Sequence, residues 1–327
     1  MRPARCLLAV LLGALAAYAE PPALDPPQPA MAAETMVKPG YAFITGDLGL
    51  NRITKYDAQG RPTWYYSQVS PIDVWPLADG TVLCAYLPSG LTGGKGGVRC
   101  IRPDGSTLFD FAFDDEIMSV QPLPDGHFLL AECHFGRVTE FDRQGQRLSS
   151  FTVVTPPAGH TTMRQIRLMP DGSVLVAECY SHKLRIYGRD GKLLREIDQE
   201  YPYCPFVLPD GGFIVGCWNH PKAKVVEFDA QGKLTWTLLP SELPEGMNVT
   251  HISEAVRLPS GNTLVSVSCG AGGAGTPRAM VFEVTREKKV VWQIVDPTSA
   301  TRIATIKVIG AEHLAAAAAA AAVAAGR

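Results

Sequence analysis

The chain is built on a stretch that it repeats, and the clearest copy is residues 118–152, MSVQPLPDGHFLLAECHFGRVTEFDRQGQRLSSFT. This copy reads as a short strand, a Pro124-Asp125-Gly126 turn, a strand over 127–133, a tight loop, a strand over 137–142, a Gln144-Gly145 turn and a last strand. The turn chemistry is explicit: proline pre-sets φ, aspartate bonds the backbone two residues on, and glycine accepts φ > 0. Within the strands apolar and polar residues alternate, as half-buried strands require. A four-stranded antiparallel meander of this size cannot bury both faces alone, so copies must stack. A repeat of about 40–45 residues with four strands is the signature of a propeller.

Further copies turn at Ala78-Asp79-Gly80, Pro170-Asp171-Gly172, Pro209-Asp210-Gly211 and Pro259-Ser260-Gly261. Another begins at residue 41 without a first strand, and 302–310, RIATIKVIG, has the pattern of a first strand with no blade behind it. Joining the two ends in one blade removes the sheet edges that an open array would expose. The expected fold is therefore all-β: a six-bladed β-propeller of four-stranded antiparallel blades over residues 40–312, closed by the C-terminal strand completing blade one.

The flanks read differently. Residues 1–19 combine Arg2 and Arg5, an apolar run over 7–17 and Ala17-Tyr18-Ala19, the pattern of a signal peptide cleaved after Ala19. The apolar run falls short of the ~20 residues that span a bilayer. The mature chain is expected to be extracytoplasmic, periplasmic or secreted, with no transmembrane anchor after cleavage. Residues 20–39 form a proline-rich linker, and 313–327 an alanine-rich tail. Removing Arg2 and Arg5 from 30 basic residues leaves 28 against 32 acidic ones, a net charge of −4. That balance gives no electrostatic footprint for nucleic acid, and a monomer with a small molecule or a protein at one face is expected.

The recurring L-P-D-G-x-x-L-V and the following R-V-x-E-x-D-x-x-G-x-x-x-W resemble the extracytoplasmic propellers grouped as PQQ-like, arylsulfotransferase-like and NHL-like. The residues that carry this are 123–126, 208–211 and 258–261, with Asp57 before Trp64, Asp229 before Trp236 and Val284 before Trp292. The resemblance implies that the tryptophans dock one blade on the next. Quinone-binding members have eight blades and an adjacent cysteine pair, both missing here, so no PQQ is expected. Thr250-His251-Ile252-Ser253-Glu254 resembles the histidine-plus-asparagine opening of a sulfotransferase blade, with Ser253 and Glu254 where the asparagine stands.

In a propeller, second-to-third-strand loops and blade-to-blade loops open on one face. His134, His182 and His220 fall in the former, and His160 and His251 in the latter. His134, His182 and His220 are candidate metal ligands for an open zinc-type site with a position left for water, an arrangement that resembles the zinc centre of six-bladed amidating lyases. Surface loops also collect histidines without any metal. Glu132 and Glu178 are candidate bases or imidazole orienters, and Arg164 a candidate anion-stabilising group. His160, His251, Asn219 and Tyr180 are candidate ligand-binding residues. Asp114, Asp115 and Glu116 precede blade three on that face and suit either a hard cation or a solvated loop. Cys133 and Cys179 occupy the same position on adjacent blades, where they either pair or serve as buried thiols. The glycine loop 270–275 is followed by a strand, not the helix a dinucleotide fingerprint needs.

Two functions are compatible with these residues. One is a propeller that binds a ligand or partner at its loop-rich axial face. The alternative is a metal-dependent lyase or hydrolase using His134, His182 and His220.

Overall fold

The structure is a computed structural model and describes residues 39–310 except 89–93, 154–162, 219–221, 248, 269–277 and 297–300. The expected signal peptide, nearly all of the linker and the alanine-rich tail lie outside the described residues, as do His160, Asn219, His220 and the glycine loop 270–275. Among the described residues there are 24 strands and one short 3-10 helix, Pro240–Glu242, and no helix is long and apolar enough to cross a membrane.

The strands form four-stranded antiparallel sheets in a propeller arrangement. Repeat two comprises Pro71–Pro76, Val82–Tyr86, Gly96–Ile101 and Thr107–Phe113; repeat three Ile117–Pro122, Phe128–Glu132, Arg137–Phe141 and Arg147–Thr152. Repeat four comprises Ile166–Leu168, Val174–Glu178, Lys183–Tyr187 and Leu193–Asp198. Repeats five (Pro202–Val207, Phe213–Cys217, Lys224–Phe228, Leu234–Leu238) and six (Ile252–Arg257, Thr263–Val267, Arg278–Val284, Val290–Asp296) share one eight-stranded sheet. They are joined only by a parallel bridge between Cys204 and Glu254.

The end of the chain closes the beginning. Ile303–Ile309 pairs antiparallel with Ala42–Asp47, Phe43 opposite Val308 and Thr45 opposite Ile306, and completes repeat one beside Arg52–Tyr56 and Pro62–Ser67. The first strand of every repeat touches the first strands of its two neighbouring repeats, so these strands form a closed cycle. Burial follows from that position. First and second strands are buried on both faces, whereas fourth strands such as Thr107–Phe113 alternate between exposed and half-buried.

Each sheet buries its face against the next repeat. Leu129, Val138 and Val153 of repeat three pack with Ile166, Val174 and Tyr187 of repeat four, and each such side chain contributes about 1.5–3 kcal/mol of apolar burial. The expected tryptophan docking occurs at three junctions. Trp64 Nε1 donates to Pro103 O at 3.0 Å and Trp236 Nε1 to Arg286 O at 2.9 Å, each carbonyl belonging to the next repeat. Arg195 does the same to Ala230 O at 2.6 Å. Trp292 docks by its ring, packed against Tyr41 and Phe43 of repeat one with centroids 6.2 and 5.9 Å apart, while its N–H donates within its own repeat to Glu283 at 2.6 Å. The Pro-Asp-Gly turns form as expected: Gly126 has φ +90° and Asp125 Oδ1 accepts the His127 N–H at 3.0 Å.

Along the axis the first strands carry a buried charged network. Asp73, Ser119, Arg167, Glu254 and Lys307, from five repeats, are each at most 3% exposed. Arg167 bonds Asp73 at 2.9 Å and Ser119 at 3.0 Å, and Lys307 bonds both oxygens of Glu254. Cys133 and Cys179 are not joined in a disulfide; of the two alternatives for their equivalent positions, they are buried thiols. Each sits in its own apolar cluster, Cys133 with Ile72, Met118 and Ala304, Cys179 with Tyr203 and Cys204. Burial pushes both thiols up to about 11, the inert end of the thiol range.

Candidate functional site

The expected sharing of one face by two kinds of loop is realised in direct contacts. His134, after the second strand of repeat three, meets Asp115, in the loop entering that repeat. His182, after the second strand of repeat four, meets Tyr201, in the loop entering repeat five. Trp218 meets His251 across the next junction, with ring centroids 5.0 Å apart.

Asp115 organises the first of these contacts. Its Oδ1 accepts from the backbone N–H groups of Glu116 at 2.7 Å and His134 at 2.9 Å and faces His134 Nδ1 at 3.0 Å; its Oδ2 accepts from Phe135 N–H at 2.9 Å. The carboxylate is acceptor-only, so Nδ1 of His134 donates and the Nε2 lone pair is turned away from it. The side chain of Asp115 is 1% exposed and that of His134 35%. An aspartate-oriented imidazole with an available Nε2 can take a proton or bind a metal. The sequence grouped Asp115 with Asp114 and Glu116, but the structure separates them: the Asp114 side chain is 92% exposed and pairs with Lys95 at 3.5 Å. The signal that links Asp115 to His134 is the rule that their two loop types share a face.

His182 is held differently. Its φ is +55°, the left-handed region, and its Nδ1 accepts the Tyr201 N–H at 3.2 Å. Tyr201 is itself left-handed, with φ +47°. The same position is Asn51 in repeat one, with φ +50° and its Oδ1 accepting the Ser70 N–H at 3.0 Å; in repeat three it is Gly136, with φ +58°. His134 thus aligns with Tyr180, not with His182. Because Nδ1 of His182 accepts, its neutral ring carries the proton on Nε2 and offers a donor there.

Glu132 and Glu178 end equivalent strands and are both buried in ion pairs. Glu132 bonds Arg137 at 2.7 and 2.8 Å, Arg147 at 3.3 Å, and Thr139. Burial alone raises its carboxyl, but the Arg137 and Thr139 bonds and the Arg147 charge hold it below the usual carboxylate range. Glu178 bonds Arg185 and, at 3.3 Å, Tyr187. Burial pushes its carboxyl up to about 7; the Arg185 charge and the Tyr187 bond oppose the rise and the nearby Glu196 charge adds to it. Neither is the carboxylate bonded to His134 or the acceptor at His182.

Arg164 is 4% exposed, lies over the Tyr203 ring at 4.1 Å and donates to its hydroxyl. From there a series of rings runs across three repeats: Tyr203 stacks on Trp218 at 6.3 Å, and Trp218 reaches His251. Tyr201 receives Tyr180 edge-on at 6.3 Å and His182 at 4.4 Å. Tyr180 is 55% exposed, while Tyr201, Trp218 and His251 are half-buried. The sequence singled out Tyr180, His182 and His251; it missed Tyr201, Tyr203 and Trp218, which fall beside loops that carry no motif. A cavity of about 760 Å³ lies between repeats five and six, lined by Glu200, Lys222, Lys224, Leu239, Met247 and Thr250.

No family model and no curated protein sequence matches the chain. Solved structures do. A Bacteroides caccae protein of unknown function aligns with TM-score 0.71 and 23% identity, covering 83% of this chain and 99% of its own. A streptogramin B lyase aligns with TM-score 0.55 and 13% identity, covering 83% and 94%. The WD40 β-propeller domain of Doa1 aligns with TM-score 0.51 and 14% identity, covering 67% and 69%. At these identities the likeness establishes the β-propeller fold.

Proposed function

We propose that this chain is an exported, monomeric, six-bladed β-propeller that binds a small-molecule ligand through its axial face. The closed cycle of first strands supports the count of six blades, with repeats five and six taken as separate blades. Export rests on the basic, apolar and small-residue pattern of residues 1–19.

The observation that carries the binding reading is the ring series Tyr180, Tyr201, His182, Trp218 and His251, contributed by successive loops to one face and backed by the buried Tyr203 of the strand Pro202–Val207. Aromatic faces with polar tips supply apolar contact area together with directional hydrogen bonds, the combination that small-molecule sites use.

A second reading is favoured by the His134–Asp115 pair: an enzyme of the lyase or hydrolase class in which His134 acts as base or metal ligand. The streptogramin B lyase among the structural neighbours supports this by analogy of fold alone. The proton on His182 Nε2 weighs against a neutral three-imidazole centre of His134, His182 and His220, because a ligating histidine donates from its other nitrogen.

The test is a thermal-shift and tryptophan-fluorescence screen of planar aromatic compounds and sugars against the full chain. Trp218→Leu and Tyr180→Ala serve as paired variants. A ligand whose stabilising effect both variants abolish supports the axial site; a ligand that stabilises parent and variants equally defeats it. Metal content lost in a His134→Ala/His182→Ala/His220→Ala variant would favour the second reading.

A further inference from the structure

The opposite face, where the Pro-Asp-Gly turns lie, carries a separate cluster in repeat three. Among the described residues, Asp125, His127 and Glu140 are the group whose nitrogen and carboxylate oxygens all fall within 4.8 Å of one another. His127 Nδ1 is 2.9 Å from Glu140 Oε1 and 3.2 Å from Asp125 Oδ2. The side chains of Asp125 and His127 are 58% and 33% exposed, so a solute reaches them without any opening of the fold.

Each carboxylate has one oxygen already engaged and the other turned to the ring. Asp125 Oδ1 accepts the His127 backbone N–H, and Glu140 Oε2 is held by Arg189 of the next repeat. The remaining oxygens, Asp125 Oδ2 and Glu140 Oε1, both point at one nitrogen that carries at most one proton. A divalent cation satisfies all three groups at once. In a tetrahedral zinc site with bonds of about 2.0–2.1 Å, neighbouring ligand atoms are roughly 3.3 Å apart, and the 2.9 and 3.2 Å spacings to His127 Nδ1 lie within a few tenths of an ångström of that value.

The other repeats show what the position does when it is only structural. In repeat six the corresponding residues are Ser260, Asn262 and Glu283, and Asn262 Nδ2 donates to Glu283 Oε1 at 2.6 Å. That is a simple cross-strand bond. Repeat four has Asp171, Ser173 and Ile186, and repeat five Asp210, Gly212 and Glu227. Repeat three departs from its sisters by placing an imidazole and two carboxylates together, which changes a cross-strand bond into a ligand set.

We propose that Asp125, His127 and Glu140 form a divalent transition-metal site of zinc type on the face opposite the axial ring series. His127 binds through Nδ1, Asp125 and Glu140 each through one oxygen, and Arg189 orients Glu140 by holding its second oxygen, as outer partners of metal ligands do. The fourth position is left to solvent on the exposed side of the Asp125 and His127 side chains.

The test uses the full chain, stripped with chelator, dialysed, loaded with zinc chloride alone and read by elemental analysis and titration calorimetry. Cobalt(II) reports the geometry by its visible absorption. The decisive variant is His127→Asn, which copies Asn262 of repeat six and so preserves the cross-strand bond and the fold. The expected result is that His127→Asn removes about one zinc equivalent and the tetrahedral cobalt bands, that Asp125→Asn weakens zinc by about tenfold or more, and that the His134→Ala/His182→Ala/His220→Ala variant retains this equivalent. Absence of zinc uptake by the parent, full retention by His127→Asn, or loss in the axial variant would overturn the site.

Discussion

Lys307 and Glu254 meet in a fully enclosed ion pair on the axis, the ammonium lying 2.6 and 2.7 Å from the two carboxylate oxygens, with the side chains 1% and 0% exposed. Lys307 comes from Ile303–Ile309, the strand that completes repeat one, and Glu254 from the first strand of repeat six, so the pair spans the junction at which the ring closes. Removing one partner strands a buried charge. Lys307→Met is expected to cost about 3–5 kcal/mol in urea unfolding, and Lys307→Met/Glu254→Gln, which restores the balance between Asp73 and Arg167, should recover a substantial part of it. A double variant as unstable as the sum of its singles would show that the two residues act independently.

His182 stands where repeat three has Gly136 and repeat one has Asn51, all three at positive φ. Asparagine tolerates this backbone and can keep the bond from Tyr201 N–H, so His182→Asn should stay within about 0.5 kcal/mol of the parent. His182→Val, β-branched in a left-handed position, should lose about 2 kcal/mol or more. Thermal melts of the pair decide the matter, and equal stability of the two would contradict a backbone constraint.

Glu178 makes stability depend on pH in the direction opposite to an ordinary salt-bridged carboxylate. Burial raises its folded pKa from the usual 4.5 to about 7, so the folded state binds the proton more tightly than the unfolded chain does. Its contribution is therefore most favourable below the unfolded pKa and is lost as pH rises from about 4.5 through 7, by up to about 3 kcal/mol at ~1.4 kcal/mol per unit. Glu178→Gln should remove this component, and unfolding free energies of parent and variant at pH 5 and pH 8 should converge at the lower pH and differ in the variant's favour at the higher. A parallel decline in both would contradict it.

Phe109 occupies the position that Trp64 and Trp236 hold in repeats one and five. Those indoles donate to the carbonyl of the next repeat, whereas Phe109 stacks on Phe111 at 4.9 Å and borders the apolar cavity between repeats two and three. Phe109→Trp should fill part of that cavity and place an N–H toward the Arg143 carbonyl, raising stability by about 0.5–2 kcal/mol. A loss measured by chemical denaturation would mean that the wedge is already fully packed.

Much of the architecture was legible because its signals are local. Pro-Asp-Gly and Gln-Gly turns declare their own geometry, and a meander that cannot bury itself must stack, so residues 41–309 announced a closed propeller. The unmatched strand at 302–310 announced its partner, because an unpaired first strand and a blade lacking one solve each other's edge. Even the common face of the loops that carry His134, His182 and His251 followed from strand order alone.

What the sequence by itself determined is therefore the fold and the face on which its loops gather. Tertiary structure alone decided which atoms meet there. Spacing could not tell that Asp115 bonds His134 while its neighbour Asp114 faces solvent, or that Glu132 and Glu178 at equivalent strand ends would titrate on opposite sides of their usual range. Nor could it assemble Tyr203, Trp218 and His251, or bring Lys307 to Glu254 across 53 residues of chain. The reason is physical: strands and turns are set by neighbours along the chain, but hydrogen bonds, ring contacts and burial depend on distances that exist only once the ring has closed.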